Sequence, residues 1–127
     1  MGKCMKKLFL VFLMMLAGSA WAEWVRYEET VSSTNYFDPA TIRKDGNMRK
    51  VWELHDLSKR HKDGEISRRV RKEYDCKQER WRILNFSFHS EPMAGGEVLS
   101  MGGEDNNWMA IAPGTSGETI FNIVCAK

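Results

Sequence analysis

The sequence predicts an α+β fold: a twisted antiparallel sheet of about six strands with one C-terminal helix packed on it and one disulfide. Three observations carry this expectation. Residues 66–90 form two runs of alternating apolar and charged residues joined by a tight turn, with Cys76 closing the first run; a period of two marks a strand with one face in a core and the other in water. After Pro113 and Gly114 the period changes, and Ile120, Phe121, Val124 and Cys125 line one helical stripe. Finally, Cys76 and Cys125 are the only cysteines beyond the N-terminal leader. In an exported small domain two cysteines form a disulfide, and closing a loop of about 49 residues contributes roughly 4 kcal/mol. The competing reading, a reactive cysteine with a histidine partner, finds no CxxC and no neighbouring His.

The leader is residues 1–22. Lys3, Lys6 and Lys7 precede an uncharged run at 8–17, and Ala20 and Ala22 form an A-x-A cleavage site, the layout of a secretory signal peptide. Ten apolar residues fall short of the roughly 20 that span a bilayer. Cys4 precedes the apolar run, so it does not read as a lipid acceptor. Cleavage after Ala22 leaves one domain, 23–127, with no membrane span and a periplasmic, surface or secreted location. The leader also carries the positive balance: 19 Lys and Arg face 17 Asp and Glu in the whole chain, but without the leader's three lysines the net charge is about −1, which argues against a nucleic-acid partner.

In chain order, residues 23–30 alternate as a first strand, and the polar run 32–35 reads as a break. Tyr36 to Pro39 leads into a short strand at 40–44. Asp45 and Gly46 make a hairpin turn, because glycine takes positive φ at no steric cost, and 48–57 is its partner strand. Residues 59–64 are a charged loop tip before the central pair at 66–90. In the first strand of that pair Ile66, Val70, Tyr74 and Cys76 face the core, while Ser67, Arg69, Arg71, Glu73 and Asp75 face water. In the second, Leu84, Phe86 and Phe88 share a parity that Trp81 and Ile83 do not, so either both faces are buried for a stretch or a bulge near Ile83 swaps them. Pro92 and four glycines make a flexible connection interrupted by a short strand at 97–100, and 108–112 is a short apolar strand. Thr115 and Glu118 fit the T-x-x-E box that starts a helix.

Catalytic chemistry has no signature here. Serines lie in loops without G-x-S-x-G, and the adjacent acidic pairs, Glu28 with Glu29 and Glu104 with Asp105, point to opposite faces of their strands. His55, His61 and His89 read as surface residues, since no Cys or closely spaced His completes a zinc set and no CxxCH offers covalent haem attachment. No cofactor or metal is therefore assigned. The one concentrated positive surface comprises Arg69 and Arg71, extended by Lys59, Arg60 and Lys62. Clustered guanidinium groups bind carboxylate or sulfate bidentately. The plainer reading is that Glu65, Glu73, Asp75 and Glu79 neutralise them.

Four stretches share a pattern: RKVWELHDL at 49–57, EYDC ending at Cys76, MAGG at 93–96 and WMAIAPGTSGETIFNIVC at 108–125. Together they resemble the surface-adhesin protein E family of Gram-negative bacteria. The tail spaces Trp108, Pro113, Glu118 and Cys125 as that family does. The resemblance implies a twisted sheet of about six strands with one disulfide-tied helix. It also implies surface display, adhesion to host extracellular-matrix proteins and a homodimer as a working form, while the arginine cluster adds acidic glycans or an acidic protein patch as a partner class. The expected function is thus that of an exported, non-enzymatic binding protein. The alternatives are a periplasmic envelope protein of structural role and a haem or metal carrier.

Overall fold

The computed structural model describes residues 23–126; the signal peptide expected at 1–22 lies outside the described residues. The strands are β1 (Val25–Glu29), β2 (Ser33–Phe37), β3 (Arg43–Asp45), β4 (Met48–Leu57), β5 (Ser67–Asp75), β6 (Arg80–Glu91), β7 (Gly95–Gly102) and β8 (Met109–Ala110), followed by helix α1 (Ser116–Val124). All pair antiparallel in one sheet of order β1-β2-β4-β5-β6-β7, with β3 and β8 attached to β4 and β6. The expected sheet, single C-terminal helix and Cys76–Cys125 disulfide are all present.

Helix α1 begins where the sequence places its cap. Thr115 Oγ1 accepts the Glu118 N–H at 3.3 Å, while the Glu118 carboxylate accepts the Gly114 N–H, one residue before the cap. Ile120, Phe121 and Val124 then bury against Phe37, Val51 and Tyr74; full burial of such a side chain is worth about 1.5–3 kcal/mol. The disulfide fastens the last turn of the helix to the end of β5, across a Cα–Cα distance of 5.6 Å.

Several local expectations change. The polar run expected to break the chain instead supplies β2: Thr30 Oγ1 accepts the N–H groups of Ser32 and Ser33 and so makes the turn, and Ser33, Thr34 and Asn35 pair with Leu57, Asp56 and His55. The strand expected at 40–44 begins as a 3-10 turn at Pro39–Thr41, capped by Asp38, before β3. The glycine-rich connection is a full edge strand, β7, in which Gly102 leaves room for the Phe86 ring. On β6 the bulge alternative holds. Arg71 pairs with Asn85 but Lys72 with Ile83, so Leu84 is the extra residue and Trp81, Ile83, Phe86 and Phe88 share the α1 side.

The face of β5 expected in water is covered at both ends. Ser67 is buried, donating to Glu91 O and accepting from Ala94 N beneath the 3-10 turn Pro92–Ala94. Glu73 and Asp75 are buried because Arg82 and Arg80 clasp them at 2.7 and 3.1 Å, while the Trp108 ring lies over both guanidinium groups. Charge at an alternating position therefore does not mark solvent here.

A fully buried carboxylate, Glu53, sits at the centre of the sheet. It accepts from Tyr27 Oη at 3.0 Å and from Tyr74 Oη, with Lys72 Nζ at 3.4 Å and His55 Nε2 at 3.5 Å. Burial alone would raise its pKa. Lys72, His55 and Tyr74 outweigh that and bring it down to about 2, from the usual 4.5. Burial and the Glu53 charge hold both tyrosine hydroxyls protonated well above their ordinary range.

Two predictions follow from this frame. Non-reduced protein should show no free thiol at Cys76 or Cys125 by mass spectrometry, and the double Cys→Ala variant should lose about 4 kcal/mol in denaturant melts. Because the folded pKa of Glu53 lies below its unfolded value, its contribution is complete above pH 4.5 and disappears as pH falls toward 2. Lys72→Met, which strips the buried charge of its cation, should cost about 3 kcal/mol at neutral pH. It should also shift the acid unfolding midpoint upward, as followed by circular dichroism.

Candidate functional site

Between the two covered ends of the face opposite α1, the middle of β5 is open. Alternation along β4 and β5 puts Lys50, Trp52, Arg69 and Arg71 on this face, since their neighbours Val51 and Tyr74 point into the core. The register sets Arg71 directly across from Trp52 and Arg69 across from Ser87. Arg69 is exposed and lays its guanidinium over the Trp52 ring, 4.2 Å from the centroid. Beside it is a hollow of about 430 Å³ lined by Trp52, Arg69, Asn85, Ser87 and Met101.

The electrostatics of this strip differ from the rest of the sheet. Glu65 is taken by Arg68, Glu73 by Arg82, Asp75 by Arg80 and Glu53 by Lys72. Among the described residues none of these carboxylates reaches Arg69 or Arg71. His89, two residues along β6 from the Ser87 that faces Arg69 and hydrogen-bonded to Ser87 Oγ at 2.7 Å, has its pKa lowered by burial and then by the Arg69 charge. A guanidinium held on an aromatic face without a carboxylate keeps its fork of donors free for an incoming anion.

The sequence-derived basic set does not stay together. Lys59 lines a different hollow, of about 550 Å³, on the α1 side, with Asn35, His55, His61 and Arg68. Arg60 is spent on structure, donating to the carbonyls of Gly64 and Ser90, both at 2.7 Å. Lys62 is exposed at the loop tip. Lys50 and Trp52 escaped sequence reasoning; the cross-strand pairing of β4 with β5 is what brings them beside the arginines.

The α1 side holds a second open region. Past the helix, Val70, Trp81, Ile83, Phe86 and Phe88 line a hollow of about 280 Å³ whose remaining wall, His55, Arg68 and Lys72, is polar. Arg68 stands 5.1 Å over the Phe88 ring and Lys72 4.6 Å over Trp81. His55 and Arg68 are shared with the larger hollow, so the two form one depression across the sheet.

Comparison with known proteins bears on the family and the fold. A family model described as surface-adhesin protein E matches residues 24–126. No curated protein matches the chain. Among solved structures, crystal form II of Haemophilus influenzae protein E is 18% identical at a TM-score of 0.64, with 85% of this chain and 91% of that chain covered. The selenomethionine form of the same protein is 16% identical at 0.62, covering 86% and 90%. Protein E from non-typeable Haemophilus influenzae is 17% identical at 0.58, covering 86% and 79%. At such identities the likeness concerns the fold.

Proposed function

Since the chain belongs to the surface-adhesin protein E family, we propose that it is an exported, non-enzymatic binding protein that attaches to acidic segments of host or extracellular-matrix proteins, or to acidic glycans, through the strip around Arg69 and Arg71. The observation that carries this reading is the absence, among the described residues, of a carboxylate partner for these two arginines, where the other arginines and the lysine of β5 and β6 are paired. An exposed strand face bearing unpaired charge either discourages sheet association or takes a partner of opposite sign. Trp52 adds an aromatic surface that fixes the Arg69 guanidinium before a ligand arrives. A homodimer as the working form fits the open edge at β7, where Val98, Leu99 and Met101 are exposed. No helix among the described residues is long and apolar enough to cross a membrane.

The test is a panel of matrix proteins and sulfated or carboxylated glycans probed with wild type and Arg69→Glu/Arg71→Glu at low and high salt. Exposed charge contacts are worth about 0–1 kcal/mol each and are screened by salt. Wild-type binding should therefore be modest and fall with ionic strength, and the double variant should bind roughly tenfold more weakly. Equal binding by the folded double variant would remove this face from the function.

A further inference from the structure

The loop between β4 and β5 contains a carboxylate that its surroundings only half satisfy. Glu65 has 1% of its side chain exposed. Its Oε2 accepts from Arg68 Nε at 2.8 Å, but its Oε1 is buried and has no hydrogen-bond partner among the described residues. That oxygen faces His61 Nδ1 at 3.1 Å. His61 Nδ1 in turn stands 3.4 Å from Asp63 Oδ2 and 3.4 Å from Asp63 N, a long contact that an ion on Nδ1 would replace. Three atoms that can each offer a lone pair to a cation thus converge, all within 4.8 Å of one another.

The two separations from His61 Nδ1, 3.1 and 3.4 Å, are those of ligands sharing an ion. Two atoms each about 2.1 Å from one metal, at angles of about 90–110°, lie about 3.0–3.4 Å apart. The loop holds the residues in place before any ion arrives. His61 N–H donates to Glu65 O at 2.7 Å and Gly64 N–H to His61 O at 2.8 Å. Gly64 has φ of +99°, which lets the chain turn so that positions 61, 63 and 65 face one point. Arg60 fastens the loop to β6 through Ser90 O.

The geometry points to a divalent transition-metal site formed by His61 Nδ1, Asp63 Oδ2 and Glu65 Oε1, with zinc as the ion its ligands suit. An imidazole and two carboxylates are borderline and hard ligands of the kind zinc accepts, and the two negative charges balance the dication. Arg68 acts behind the ligands, orienting Glu65 through its outer oxygen. With His61 39% and Asp63 70% exposed, the remaining coordination positions open to solvent, beside the depression lined by His55 and Lys59. The sequence mark is H-x-D-G-E at 61–65, which a search for paired histidines or Cys–His sets passes over.

The experiment is titration of the untagged chain lacking its leader with zinc chloride alone against a chromogenic chelator in a non-coordinating buffer. The site binds one equivalent. His61→Ala and Asp63→Asn, both at exposed positions, each weaken it by at least about tenfold, and His55→Ala leaves it unchanged. The metal-free variants should keep the wild-type circular dichroism and melting temperature, so that loss of zinc is not loss of fold. Added zinc should raise the melting temperature of wild type only. Failure to compete with the chelator, binding that both variants retain, or loss on His55→Ala alone overturns the site and leaves a protonated His61 as the cation that Glu65 faces.

Discussion

A carboxylate that cannot reach water organises the centre of this protein. Glu53 lies on β4, takes hydrogen bonds from tyrosines on β1 and β5, and is balanced by Lys72 on β5. An uncompensated ion in such a place is far too costly to persist, so β1, β4 and β5 must hold their register for the charge to be tolerated. A slip of one residue would turn Tyr74 and Lys72 to the other face and strand Glu53. Apolar packing by α1 closes the same region from above, and the disulfide keeps the helix there.

The size of the helix explains why so much of the sheet is open. A nine-residue helix spans about 13 Å, whereas β6, at 12 residues, runs about 40 Å. The helix can cover only the end nearest Cys76. What remains on its side is the aromatic depression around Phe86 and Phe88, and residues that would be a core under a longer helix instead carry Arg68 and Lys72 laid over their rings. On the opposite side the Pro92–Ala94 turn and the Trp108 segment close the two ends, leaving Arg69 and Arg71 between them.

The charges are sorted rather than scattered. In a chain near neutrality, most acidic side chains of the central strands are committed to a neighbouring cation, and two places depart from that pattern in opposite senses. Among the described residues, the cations Arg69 and Arg71 around Trp52 lack carboxylates, whereas in the loop before β5 no cation stands between His61, Asp63 and Glu65, although Arg68 holds Glu65 from behind. They lie on different elements and open on different sides, so ligands could occupy both at once.

Much of the fold was legible in the sequence because it rests on local rules. The 48–57 strand, the helix cap at Thr115, the pairing of Cys76 with Cys125 and the alternative of a bulge on β6 follow from periodicity, capping chemistry and cysteine count. The candidate surface was legible only in part: Arg69 and Arg71 could be assigned to one face, but not Lys50 or Trp52, and Lys59 was assigned to the wrong neighbourhood. What the tertiary structure decided was partnership. That polar Ser33–Asn35 makes a strand, that Glu53, Glu73 and Asp75 are buried, and that His61, Asp63 and Glu65 converge all depend on groups supplied by other strands or by the course of a loop. Alternation reports which side of a strand a residue is on; only the register and the segments crossing each face report what it meets there.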